Sequence, residues 1–191
     1  MRLRMVEFLK SRKKYLLLCL VTTAGFLALV SYLANHWMLV MTVPGQECFP
    51  YRHWVVKKTK DIHAGEFVAF WGYGIPNTPD RVLWGKKILA MGGDRIVSQE
   101  ASGTGIININ GMDRPFPIQG IVHIYSRNGE QLASLTVYGR DTSGRPLPMI
   151  HSMDVPEGKY FVIGETERSY DSRYWGLVDA SWVVGRAYPV F

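Results

Sequence analysis

Three short stretches carry side chains able to do covalent chemistry. "QECFPYR" (46–52) holds Cys48, "WGKKILAMGGDRI" (84–96) holds Lys86 and Lys87, and "SYDSRYWG" (169–176) holds Ser169, Asp171 and Arg173. A thiolate is a nucleophile and a desolvated lysine can serve as its base. Each group also has a plainer reading. A free cysteine is often a small buried hydrophobe, and an aspartate two residues before an arginine is often a structural ion pair. Other signatures are missing from the sequence: there is no HExxH, GxxxxGK[ST], CxxC or GxSxG. His36, His53, His63, His123 and His151 are scattered and read as surface or structural residues. A Cys–His pair using His53 is disfavoured, because five residues of extended chain reverse the face and Pro50 interrupts the strand. No metal or cofactor is expected.

The compartment of the thiol follows from charge and hydropathy. The chain of 191 residues suits one folded domain plus a short anchor, and its net charge is +6. Residues 1–14 hold Arg2, Arg4, Lys10, Arg12, Lys13 and Lys14 against Glu7, so the remainder is close to neutral. A near-neutral domain lacks the basic surface that nucleic-acid binding needs. "YLLLCLVTTAGFLALVSYLA" (15–34) is uncharged and, at about 1.5 Å per residue, spans a bilayer core of about 30 Å. Tyr15, Tyr32 and Trp37 stand at its edges as interfacial aromatics do. Cleavage after Ala34 or Ala28 puts Tyr32 or Phe26 at the −3 position, a poor signal-peptidase site, so an uncleaved anchor is expected. The organisation predicted is a cytoplasmic basic segment at 1–14, a transmembrane anchor at 15–35 and an exported domain at 36–191. By the positive-inside rule the domain lies in the periplasm of a bacterium, at the inner membrane. Of the two cysteines, Cys19 lies in the span and Cys48 beyond it, so no structural disulfide between them is expected. A thiol–disulfide protein would need a partner cysteine.

The exported part reads as mainly β. "HWVVKK" and "EFVAFWGY" are strands about the turn "DIHAGE", and "YGIPNTPD" is a loop. "RVLWGKKILAM" reads as a strand, followed by "DRIVSQE", "GIININGMDRPF", "IVHIYS" and "QLASLTVYG", with "RNGE" as a hairpin turn. "RDTSGRPLPM" is a loop, and "GKYFVIGE" and "ASWVVGRAYPVF" are the last strands. The span is the one confident helix. Residues 98–157 form a β-rich excursion with no assigned role.

The order of these segments resembles the type I signal peptidases, and more closely their conjugative-transfer (TraF-type) relatives, which use a Ser–Lys dyad. "AGEFVAF" is similar to the family's Gly-Asp-x-Val-x-Phe strand, with Glu66 for Asp. "KKILAMGGDRI" is similar to Lys-Arg-Val-x-Gly-x-x-Gly-Asp-x-Val, which implies that Lys86 is the general base. "VPEGKYFVIGE" is similar to Val-Pro-x-Gly-x-Tyr-Phe-x-x-Gly-Asp, with Glu165 for Asp. "SYDSRYWG" matches Ser-x-Asp-Ser-Arg-Tyr-x-Gly at each position. The TraF-type relatives carry Ser-x-Pro just beyond the membrane, and here "CFP" stands in its place. The resemblance therefore implies Cys48 as nucleophile, with Ser169 and Asp171 near the lysine; Asp171 and Arg173, two apart and on one face if extended, are expected to form an ion pair that braces the site. It also implies the Cys48 backbone amide as oxyanion donor, with Gln46 as a second donor.

Physical chemistry is consistent with the exchange. An unperturbed thiol titrates near 8.5 and a lysine near 10.4, so a Cys–Lys pair starts closer to proton balance than Ser–Lys. Trp84 and Ile88 alternate with Lys86, which places it on an apolar strand face and turns Lys87 to the other side. The function implied is a membrane-anchored peptidase or transpeptidase working through an acyl-enzyme on an exported, membrane-embedded precursor, such as a conjugative prepilin. Either hydrolysis or cyclisation can end such a cycle, and a thioester is well suited to attack by an amine. The alternative is a pseudo-peptidase that lost its serine and serves as an assembly factor of the same secretion apparatus.

Overall fold

The computed structural model describes residues 2–42, 48–109 and 111–190, with side chains from Arg12 onward. The chain divides into two compact units, Met1–Met38 and Leu39–Phe191. The first is essentially one helix, α1 (Arg2–His36). Its stretch Arg12–His36 is long and apolar enough to cross a membrane. Proline is absent from it, and Thr22 satisfies its hydroxyl on the carbonyls of Leu18 and Cys19, both at 3.0 Å.

The second unit is mostly β. β1 (Trp37–Met41), β2 (His53–Lys58), β3 (Phe67–Gly72) and β4 (Val82–Ala90) belong to a seven-stranded sheet. β5 (Arg95–Ile109), β6 (Met112–Tyr125), β7 (Gln131–Tyr138) and the two-residue β8 (Met153–Asp154) form a four-stranded sheet. The chain then returns to the first sheet through β9 (Lys159–Ile163), the short helix α2 (Ser172–Trp175), β10 (Val178–Asp179) and β11 (Val183–Pro189). The strand orders are β1-β2-β11-β3-β4-β9-β10 and β7-β6-β5-β8.

Three local expectations are corrected. "GIININGMDRPF" is two strands, because Ile109 pairs with Met112 and Gly111 just before Met112 has φ 84°. Asn-Gly is the preferred dipeptide for such a hairpin. "ASW" is a 3-10 turn at Ala180–Trp182, not strand: the Asp179 carboxylate accepts from Ser181 N at 2.8 Å and coils the chain before β11 starts. The "SYDSRYWG" stretch contributes a second helix, α2, whose N-cap is Asp171.

Two of the core clusters share β9. Tyr160 and Val162 enter a cluster with Val68, Phe70 and Ile88, while Phe161 points into another with Ile96, Val122 and Ile124. Period-two alternation thus buries both faces of one strand, which is why "YFVI" carries no charged side chain. A register shift between Ile88 and Ala90 on β4 sends these two residues into different clusters. Lys86 lies on the Ile88 face, upstream of that shift.

Candidate active site

Lys86 sits on β4 opposite Val68 of β3 and is 1% exposed. Strand alternation gives it the same face as the fully buried Ile88, and its Nζ lies 5.5 Å from the centre of the Trp84 ring. Lys87 takes the other face and stacks against Phe67, 5.8 Å from its ring centre. The Lys86 Nζ is 2.9 Å from Cys48 Sγ and 2.7 Å from Ser169 Oγ. Thiol, amine and hydroxyl therefore meet at one point, from three segments distant in sequence.

The loop after β9 fixes that point. Glu165 N and Thr166 N donate to the Cys48 carbonyl at 2.9 and 3.3 Å, hanging the cysteine on residues 165–166. Ser169 N donates to Thr166 O at 3.0 Å, closing a turn that returns the hydroxyl to Lys86. Gly164 makes this crossing possible. A Cβ added there would lie 2.7 Å from Ser169 Cβ and 2.8 Å from Cys48 Cβ, closer than real side chains approach. The need for glycine at this position is steric, which sequence patterns alone do not disclose.

Asp171 and Arg173 stand beneath the loop, and both are buried. The guanidinium donates Nε to one carboxylate oxygen at 2.8 Å and Nη2 to the other at 2.9 Å, a two-pronged pair. Asp171 also accepts from Gly164 N at 3.1 Å, and Arg173 Nη2 donates to Ser169 O at 3.1 Å. The resemblance placed Asp171 near the lysine. Among the described residues its carboxylate bonds to Arg173 and to Gly164, in the loop that carries Ser169. Burial works against the Arg173 charge, but hydrogen bonds and attraction from Asp171 outweigh it and hold the guanidinium above its ordinary pKa. Arg173 Nη1 reaches Thr136 O of β7 at 3.0 Å, and Ser172 Oγ accepts from Val162 N of β9 at 2.9 Å. This one segment ties both sheets to the loop. Burial also raises the Tyr174 hydroxyl, which accepts a hydrogen bond from Tyr138 N at 3.3 Å.

A cavity of about 590 Å³ opens over Cys48 and Lys86. Its walls are largely apolar, with Phe49, Val68, Ala69, Leu83 and Ala187 among them. Phe49, Trp54 and Phe67 pack edge to face, with ring centres 5.1 to 5.7 Å apart, and give that wall a rigid shape. Sequence reasoning did not single out these aromatics. Gln46, expected as a second oxyanion donor, lies outside the described residues, while the Cys48 carbonyl is committed to residues 165 and 166.

Chemically, a neutral amine donating one N–H to Ser169 Oγ has its lone pair free to face a thiol 2.9 Å away. A group so placed can accept the thiol proton as sulfur adds to a carbonyl, and can return it to a departing nitrogen. The apolar cavity offers room for an extended peptide at that sulfur.

Over 64 residues the chain is 36% identical to the conjugal transfer protein TraF of Agrobacterium fabrum (strain C58), a match covering 34% of this chain and 36% of that protein. The chain thus aligns with about a third of that relative. The family model described as signal peptidase, peptidase S26, matches residues 12–191. The chain belongs to the signal peptidase family, peptidase S26.

Proposed function

We propose that the protein is a membrane-anchored peptidase in which Cys48 is the nucleophile and Lys86 the general base. What supports this is the 2.9 Å approach of a buried lysine amine to the sulfur, inside an apolar cavity of peptide dimensions. Lys86 takes the Sγ proton as sulfur bonds to the scissile carbonyl carbon. The tetrahedral intermediate collapses when Lys86 passes that proton to the leaving nitrogen, and the C–N bond breaks to leave a thioester on Cys48. Water or an amine then attacks the thioester; Lys86 accepts the attacker's proton and gives it back to sulfur. The Cys48 N–H is the oxyanion donor in this scheme. Ser169 orients the amine, and Asp171 with Arg173 hold the loop that carries Ser169.

The substrate in this reading is an exported, membrane-embedded precursor cut beside the outer face of the inner membrane. The basic residues of the first fourteen positions, in the opening turns of α1, keep the N-terminus cytoplasmic and leave Leu39–Phe191 in the periplasm. Likeness to a conjugal transfer protein directs attention to a conjugative prepilin. A thioester favours an amine acceptor over water more than an oxygen ester does, so head-to-tail joining of the mature pilin is the predicted end of the cycle. Intact mass of the candidate pilin from cells carrying wild type, Cys48→Ala or Cys48→Ser tests both points. Processing lost with Ala identifies an enzyme, and a product one water lighter than the linear chain identifies cyclisation. Unaltered processing in both variants would assign the protein to assembly instead.

A further inference from the structure

A second cavity of about 460 Å³ adjoins the first, and Thr142, Arg168 and Tyr170 line both. The four-stranded sheet and the loop after it build its far side, through Ile107, Phe116, Tyr138 and residues 140–147. Asp141 makes that loop a fixed rim, accepting from Ser143 N, Arg145 N and Arg145 Nε at 2.9, 2.9 and 2.7 Å. Burial works against its charge, but a bond from the Ser143 hydroxyl at 2.8 Å together with these three lowers its carboxyl to about 2, so it stays an anion spent within the loop.

The cavity carries three guanidinium groups, two of them committed. Arg145 pairs with Asp141, and Arg140 donates to Gly144 O at 2.9 Å. The exposed Arg168 guanidinium makes no hydrogen bond or ion pair with another described residue. Glu167 lines only the second cavity, where its charge acts on Tyr138. Direction follows from the proton path. The leaving nitrogen takes its proton from Lys86, whose other partner, Ser169, also lines the second cavity.

We infer that the second cavity holds the polypeptide segment that follows the scissile bond, and that Arg168 pairs with an acidic side chain there. This rests on the proposed acyl transfer at Cys48. It gives the excursion a function: the four-stranded sheet walls the departing side of the cleft.

The test is equilibrium binding to the full chain carrying Cys48→Ala, in detergent micelles, which needs no chemistry. The probes are hexapeptides with a free N-terminus, labelled at the C-terminus with a rhodamine dye, bearing Asp, Asn or Lys as second residue. Anisotropy should rank Asp about fivefold tighter than Asn, and Lys weakest, the size expected for one partly exposed charge pair. Adding Arg168→Glu should reverse the order. The Asp advantage in the parent protein should also shrink between about 50 and about 500 mM salt, a readout requiring no folded Arg168 variant. Equal affinities, no binding by any of the three, or a salt-independent ranking overturns the inference. Failure of the acyl-transfer reading would appear separately, in the pilin masses above.

Discussion

Thirty-eight positions separate Cys48 from Lys86, yet sulfur and amine lie 2.9 Å apart. The contact is assembled by neither residue's own neighbours. It depends on the loop 164–169, which clamps the cysteine carbonyl on one side and presents Ser169 to the amine on the other.

Lys86→Ala should lower kcat/KM for precursor processing by roughly 10² to 10⁴-fold, the usual worth of a positioned general base. Lys87→Ala, on the opposite strand face, should change it by far less. Quantified precursor and product bands from cells expressing each variant decide this.

Gly164→Ala inserts a methyl group between Ser169 and Cys48. Processing should fall at least tenfold, because either partner must shift and reaction geometry is sensitive to displacements near 1 Å. The check is turnover of the precursor by purified variant and wild type, alongside a thermal melt of each to separate misplacement from unfolding.

Removing one member of the buried pair should be costly. Asp171→Ala leaves the Arg173 charge uncompensated and should destabilise the domain by about 3 to 5 kcal/mol. Exchanging both for apolar residues of similar volume should cost less than either single change. Urea denaturation of the three variants provides the comparison.

How much of this was legible beforehand depends on the distance over which each feature is decided. Strand alternation put Lys86 and Ile88 on one face, and the charge pattern marked α1, because both are set by near neighbours. The helix at Ser172–Trp175 is too short to show a period of 3.6, and Asp171 caps it while its carboxylate is held by Arg173 and by Gly164 N. Gly164 was visible within a motif, but its reason is a crossing of residues far apart in sequence. The hairpin turn at residue 111 had a local signal in Asn-Gly, which the surrounding apolar run concealed.

Acid should weaken the rim of the second cavity. Asp141 has its carboxyl lowered from 3.8 to about 2 in the fold. A group depressed by folding contributes stability that is complete above its unfolded pKa and disappears as pH falls through the folded one. That contribution should therefore be lost between about pH 4 and pH 2, and Asp141→Asn should show a shallower decline across the window. Chemical denaturation at several pH values in that interval measures the slope.

Trapping the covalent intermediate is the most direct test of the Cys48–Lys86 pair. Purified full-length protein would be mixed with precursor, quenched in acid within seconds, digested and mapped by mass spectrometry. The expected result is a hydroxylamine-sensitive acyl adduct on the peptide containing Cys48, missing from Lys86→Ala under the same conditions. Continued processing with no adduct on that peptide, or an equal adduct yield without Lys86, would contradict the account.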